Sequence, residues 1–195
     1  MAIDAMKKRC AWCGDDPLYV AYHDTEWGVP KHDDSTLFEF LVLEGAQAGL
    51  SWITILRKRN GYRELFDHFD AKRVAHYSDA ELDERLQNPK IVRNRLKVYG
   101  ARKNARAFLD VQQEWGSFSN YIWGFVDGQA IQNNWRSQLD VPPTSSISDQ
   151  MSKDMKKRGF TFAGSTIMYA YMQATGMVND HTQDCFRHTD CLGMT

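Results

Sequence analysis

Between Phe40 and Leu56 the chain carries a single charged side chain, Glu44, within the run LVLEGAQAGLSWITIL (Leu41 to Leu56). A stretch this apolar demands burial, so the fold has to be built around it. Glu44 interrupts the run and leaves it too short to span a bilayer. The pattern reads as a core helix ending near Gly49 and a second helix capped by Ser51. A carboxylate inside such a helix is costly unless it is paired or used. Either Glu44 bonds buried backbone amides or an arginine from elsewhere in the chain, or it faces a ligand.

The remaining sequence is punctuated as helices. Thr36-Leu-Phe-Glu39 reads as a capping box, with Glu39 bonding back to the N-cap amide. SWITILRKRNG starts at Ser51 and stops at Gly61. Ser78-Asp-Ala-Glu81 opens a helix that ends before Pro89. VRNRLKVYGARKNARAFLDVQQEWG keeps helical spacing up to Gly116, and SNYIWGFV reads as a short aromatic helix. Asp127 to Ser145, rich in Gly, Asn, Gln and Pro, reads as a long loop. Ser146-Ile-Ser-Asp149 caps QMSKDMKKRG, and STIMYAYMQATG, apolar on nearly every side, predicts a buried helix. No period-2 strand, internal repeat or low-complexity tract stands out. The expectation is one all-α domain over residues 1–195, in two closely packed helical lobes.

Met1 to Arg9 contains no apolar h-region, which places the chain in the cytoplasm, where cysteines serve as ligands or catalysts rather than disulfides. All four cysteines, at 10, 13, 185 and 191, lie at the two ends of the chain. His181 and Cys185 are four apart, so both can face one ion from a helical turn. Cys10, His23 and Cys13 are candidates near the other end. Two ligands from each end make a closed, structural Cys2His2 zinc site that ties the termini together. Spacing alone leaves this level with scattered cytosolic cysteines and a core histidine. A redox role for Cys10-Ala-Trp-Cys13 lacks the βαβ surroundings such a motif needs.

A net charge of −1 excludes a simple polycation, so any basic surface must be local. One exists: Lys90, Arg93, Arg95, Lys97, Arg102, Lys103 and Arg106 fall between Lys90 and Leu109 with no acidic residue among them. Such a stretch suits phosphates, especially beside a helix start, although charge runs more often find acidic partners within the fold. Trp12, Tyr19, Tyr22, Trp27 and Trp52 crowd into the same part of the chain as Glu44. Singly, each is a core residue. Together with a carboxylate they describe a pocket for a planar, cationic ligand rich in hydrogen-bond donors. Burial raises the pKa of such a carboxylate and a bound cation lowers it again.

Three blocks carry a resemblance: RCAWCGDDPLYVAYHDTEWGVP, LFEFLVLEGAQAGLSWITILRKR and KKRGFTFAGSTIMYAYMQATGMVNDH. They closely resemble the DNA-3-methyladenine glycosylase I family, of the helix-hairpin-helix superfamily, and the likeness runs from Arg9 to about Cys185. The resemblance implies a monofunctional enzyme that flips 3-methyladenine out of alkylated double-stranded DNA and hydrolyses its glycosidic bond. It implies one zinc ion on Cys10, His23, His181 and Cys185, with Cys13 outside the set. It implies Glu44 and Tyr22 on the excised base, Trp52 stacked against it, and Trp12, Tyr19 and Trp27 lining the same pocket. Gln47 and Leu50 match positions that enter the DNA. The hairpin is implied around residues 90–97, with Arg93, Arg95 and Lys97 at the phosphates, although IVRNRLK lacks the usual hairpin glycines. A monomer with no obligate protein partner is usual for the family. Two rivals remain on the residues alone: a non-enzymatic reader of cationic ligands, and a zinc-stabilised nucleic-acid binder without catalysis.

Overall fold

A computed structural model describes residues 7–194. Residues 1–6, most of the segment read above as lacking an apolar leader, lie outside the described residues, as does Thr195. Ten α-helices dominate the described part: α1 (Pro17–Thr25), α2 (Asp34–Gln47), α3 (Trp52–Leu65), α4 (Ala71–Ala75), α5 (Asp79–Gln87), α6 (Arg95–Trp115), α7 (Phe118–Trp123), α8 (Ser146–Lys157), α9 (Ser165–Ala174) and α10 (Phe186–Cys191). No helix among the described residues is long and apolar enough to cross a membrane. One strand pair was not anticipated. Ile131–Gln132 (β1) and Val178–Asn179 (β2) pair in parallel, each too short to show a period-2 pattern.

Helix α2 is the central element. Ten consecutive residues, Leu37 to Ala46, are buried, because α3, α6, α7 and α9 all pack on it. Its start differs from the capping box read in the sequence. Asp33 is the N-cap and accepts from the Ser35 and Thr36 amides, so Thr36 already lies inside the helix. Glu39 is consequently free for other work, and it accepts from Arg59 Nε at 2.6 Å and from Arg63. At its other end α2 is capped by a cation: Lys97 Nζ donates to the Ala46 and Ala48 carbonyls at 2.8 and 2.7 Å. Gly49, at φ +77°, then turns the chain into α3.

Gly61 does not stop α3, which continues to Leu65. The glycine serves packing instead, since a Cβ there would collide with the Lys90 carbonyl. Gly61→Ala is therefore expected to destabilise the protein by roughly 1–3 kcal/mol, read as a lower melting temperature. The Ser78–Glu81 capping box forms as expected, and Gly116 ends α6. The cap of α8 lies one residue earlier than read, at Ser145, whose hydroxyl accepts from the Ser148 amide.

Asp180 knits the C-terminal half together. Its carboxylate, 1% exposed, accepts from Asn133 Nδ2, Trp135 Nε1, Tyr169 Oη and Gln173 Nε2, all at 2.7–2.8 Å. Neutral donors thus solvate the buried carboxylate and fix the 133–140 loop against α9.

Candidate functional site

Helical periodicity assembles one aromatic cleft. Tyr19, Tyr22 and His23 stand at i, i+3 and i+4 of α1, on one side of the helix. Glu44 and Gln47 stand one turn apart near the end of α2, and Trp52 is the first residue of α3. Trp12, from a 3-10 turn, and Trp27 complete a cleft of about 160 Å³, which Ala170 and Gln173 of α9 and Gln138 also line. Trp12 packs on Tyr19 and Trp27 at centroid distances of 5.0 and 4.9 Å. Trp52 packs on Tyr22 at 5.5 Å and lies nearly parallel to Phe40 at 6.4 Å and 18°. Phe40 is itself held by two cations, Lys31 and Arg59, at 5.1 and 5.2 Å from its centroid. Arg59 is in turn gripped by Glu26 and Glu39.

Among the described residues, five buried side-chain polar atoms lack a hydrogen-bond partner. Four of them belong to cleft residues: Trp12 Nε1, Tyr22 Oη, Glu44 Oε2 and Trp52 Nε1. Unpaired buried polar groups cost about 1–3 kcal/mol each, so such a concentration marks a surface shaped for a ligand. Glu44 is 3% exposed, and no arginine or backbone amide claims its Oε2. Burial pushes its pKa up to about 8. Burial also pushes the Tyr22 phenol well above its ordinary value, and the nearby Glu44 adds to this. The cleft therefore offers an uncharged carboxyl at neutral pH that ionises readily beside a cation.

A wider cleft of about 460 Å³ lies at the far end of α6, between Trp115, Tyr121, Phe125 and α8. Its aromatic and arginine groups are already paired: Trp115 donates to Glu114, Tyr121 to Asp154, and Arg158 to both carboxylates. Size alone does not single out a site. Unmet hydrogen-bonding capacity does.

Behind the aromatic wall, Cys10, His23, His181 and Cys185 converge. All four are buried, and their ligand atoms lie within 4.8 Å of one another. Cys185 Sγ sits 3.4 Å from His23 Nε2 and 3.6 Å from His181 Nδ1, and Cys10 Sγ sits 3.5 Å from His181 Nδ1. The outer ring nitrogens are oriented by acceptors: His23 Nδ1 by Asp24 at 2.8 Å and His181 Nε2 by the Trp27 carbonyl at 3.2 Å. Each ring therefore carries its proton outward and turns a lone pair inward. The Cys10 thiol donates towards Cys185 and holds Cys185 well below the ordinary thiol range, while Cys10 itself is held above it. Two sulfurs and two imidazole lone pairs around one point fit a metal ion. Cys13 stands apart, with its thiol on the Cys10 carbonyl. The cluster also props up the cleft, since Trp12 packs on His23 and Trp27 on His181, at 5.3 and 4.6 Å.

The methyladenine glycosylase family model matches residues 12–188. The chain belongs to that family. This family member is 46% identical over 178 residues to DNA-3-methyladenine glycosylase 1 of Escherichia coli (strain K12), covering 91% of this chain and 95% of the relative. A crystal structure of 3-methyladenine DNA glycosylase I (TAG) superposes with a TM-score of 0.90 at 49% identity, covering 92% and 98% of the two chains. A variant of 3-methyladenine DNA glycosylase I solved in complex with 3-methyladenine gives 0.89 at 35% identity, covering 91% and 96%.

In this methyladenine glycosylase family member the basic stretch is only partly free. Lys90 pairs with Glu64, Arg95 with Asp83 and Arg102 with Asp79. Arg106 donates to the Ala75 carbonyl, and Lys97 caps α2. Arg93 and Lys103 are exposed and make no hydrogen bond or ion pair with the described residues. Gln47 lines the cleft, and Leu50, 40% exposed, follows on the turn that Lys97 braces. Sequence reasoning missed Gln138, Ala170 and Gln173. No local pattern marks them, because β pairing and the Asp180 network bring them to the cleft from more than eighty residues away.

Proposed function

We propose that this protein is a monofunctional DNA glycosylase that excises 3-methyladenine from alkylated double-stranded DNA by hydrolysing the N-glycosidic bond. One observation carries the reading: a buried carboxyl with no counter-cation among the described residues shares its cleft with a wall of aromatic rings and three further unpaired buried polar groups. Alkylation at N3 gives adenine a positive charge, which an ionised Glu44 complements and unmodified adenine lacks. Trp52 offers a stacking face, and Tyr22 and Glu44 offer hydrogen-bond partners to the ring edge. The charge also makes the base a good leaving group, so little acid catalysis is needed. Glu44 has a further role in stabilising positive charge that develops on the sugar.

The DNA reaches the cleft by turning the nucleotide out of the stack, at a cost of a few kcal/mol. Gln47 and Leu50, on the turn at the mouth of the cleft, fill the gap it leaves. Arg93, with no partner among the described residues, is the free phosphate contact of the hairpin segment 90–97. Arg95 supports it, and Lys97 acts through its hold on the α2 carbonyls. No lysine lines the cleft, which favours hydrolysis over a Schiff-base lyase route. Cys10, His23, His181 and Cys185 would hold one Zn2+, whose closed ligand set gives it a structural role and joins the two ends of a single domain. A monomeric, cytoplasmic enzyme needs no further parts.

The test is chromatography of the bases released from methylated duplex DNA. 3-Methyladenine accumulating above the spontaneous rate is the expected result. DNA binding without release would leave the rival zinc-stabilised binder. Binding of methylated peptides with no DNA binding would leave the reader of cationic ligands.

A further inference from the structure

The loop between β1 and α8 presents an arrangement that base recognition does not use. Gln138 lines the cleft, so its 3-10 turn, Gln138–Asp140, stands at the cleft mouth. The next residue, Leu139, is 95% exposed, the most exposed of the large apolar side chains described. Arg136, three residues earlier, is exposed and makes no hydrogen bond or ion pair with the described residues. A lone exposed leucine is ordinary. A lone exposed leucine beside a free guanidinium, at the mouth of a cleft that must receive a flipped nucleotide, is more specific.

This exposure is not looseness. Asp180 holds Asn133 and Trp135 from beneath, and the Gln183 amide donates to the Trp135 carbonyl at 2.9 Å. His188 Nε2 meets the Asn133 carbonyl at 3.0 Å. The turn is braced from within, because Asp140 accepts from the Ser137 amide and hydroxyl at 2.9 and 3.1 Å. That pairing occupies an oxygen of the Asp140 carboxylate within the turn itself. Rigid anchoring removes the ordering penalty that a mobile loop would add on binding.

We propose that Arg136 and Leu139 form a second DNA-contacting lip, separate from the turn that carries Gln47 and Leu50. Arg136 contacts a backbone phosphate beside the flipped nucleotide, and Leu139 rests on the sugar or base edge of its neighbour. This rests on the glycosylase reading above and names a further part of the same substrate surface. Two lips from different parts of the fold would hold the strand on both sides of the extruded base, where a single wedge leaves one side free to close.

The experiment measures binding of a duplex with a tetrahydrofuran abasic-site analogue across a salt series, for wild type, Arg136→Ala and Leu139→Ala. Both side chains are exposed, and unchanged melting temperatures verify the fold. Arg136→Ala is expected to lower the slope of log K against log[salt] by about 0.9, one phosphate contact. Leu139→Ala is expected to weaken binding roughly tenfold with the slope unchanged, as for an apolar contact of leucine size. Affinity for free 3-methyladenine base, which does not reach the lip, is the internal reference. Wild-type slope and affinity in both variants would overturn the lip while leaving the glycosylase reading intact. A wild-type protein that releases no 3-methyladenine would instead overturn that reading.

Discussion

Glu44→Gln folds normally, melts higher than wild type at pH 8, and releases 3-methyladenine from methylated DNA about a hundredfold more slowly or worse. The substitution keeps the shape of the side chain and removes its ability to ionise. In the wild type burial raises the Glu44 pKa from 4.5 to about 8. The folded protein therefore retains a proton that the unfolded chain gives up. The stability contributed by this group is fully present below about pH 4.5 and is lost as pH rises through about 8. Glutamine has no such dependence, so the gap in melting temperature widens across that window.

Activity must run in the opposite sense. A cationic base is complemented by the ionised carboxylate, whose population in the free enzyme is half-formed at about pH 8 and grows beyond it. The ratio kcat/KM for methylated DNA should climb through neutral pH, pass its midpoint near 8 and level off only above it, and the variant should lack that limb. Thermal melts and pH–rate profiles of both proteins check the two halves. A variant as active as wild type would remove Glu44 from its central role.

The second large effect concerns the Cys2His2 cluster. Protein purified without added metal should carry about one equivalent of zinc, and Cys185→Ser should lose it and melt far lower. Structural zinc contributes on the order of 10 kcal/mol in small domains, and here the four residues that could hold a metal come from both ends of the chain. The consequences should reach the cleft, because His23 and His181 support Trp12 and Trp27. Chelation should therefore shift tryptophan fluorescence before the protein unfolds. Metal content well below one equivalent, with Cys185→Ser melting like wild type, would contradict the assignment.

Locally encoded elements were the legible ones. The Ser78 capping box, the long amphipathic α6 and the apolar α9 all follow from spacing and caps, and Glu44 stood out because its neighbours are apolar. Failures arose where a distant contact overrides a local signal. Gly61 resembles a helix stop, but its glycine is required by the Lys90 backbone crossing it. Thr36 and Glu39 match a capping box, but Asp33 caps first and Arg59 and Arg63 claim the glutamate. The charge run from Lys90 to Arg106 behaves as charge runs commonly do, with Glu64, Asp79 and Asp83 partnering three of its members, although which residues would be partnered was not readable from their order. Gln138 and Gln173 reach the cleft through tertiary pairing, which leaves no trace in the order of residues around them.

The most direct measurement follows the indole N–H resonances as free 3-methyladenine is added. Trp12 and Trp52 line the cleft and their indole nitrogens are unpaired among the described residues, whereas Trp115 and Trp123 donate to Glu114 and the Lys31 carbonyl. The first two signals are expected to move and the second two to stay. Signals of Trp12 and Trp52 that remain fixed while the base binds elsewhere would contradict this placement of the base.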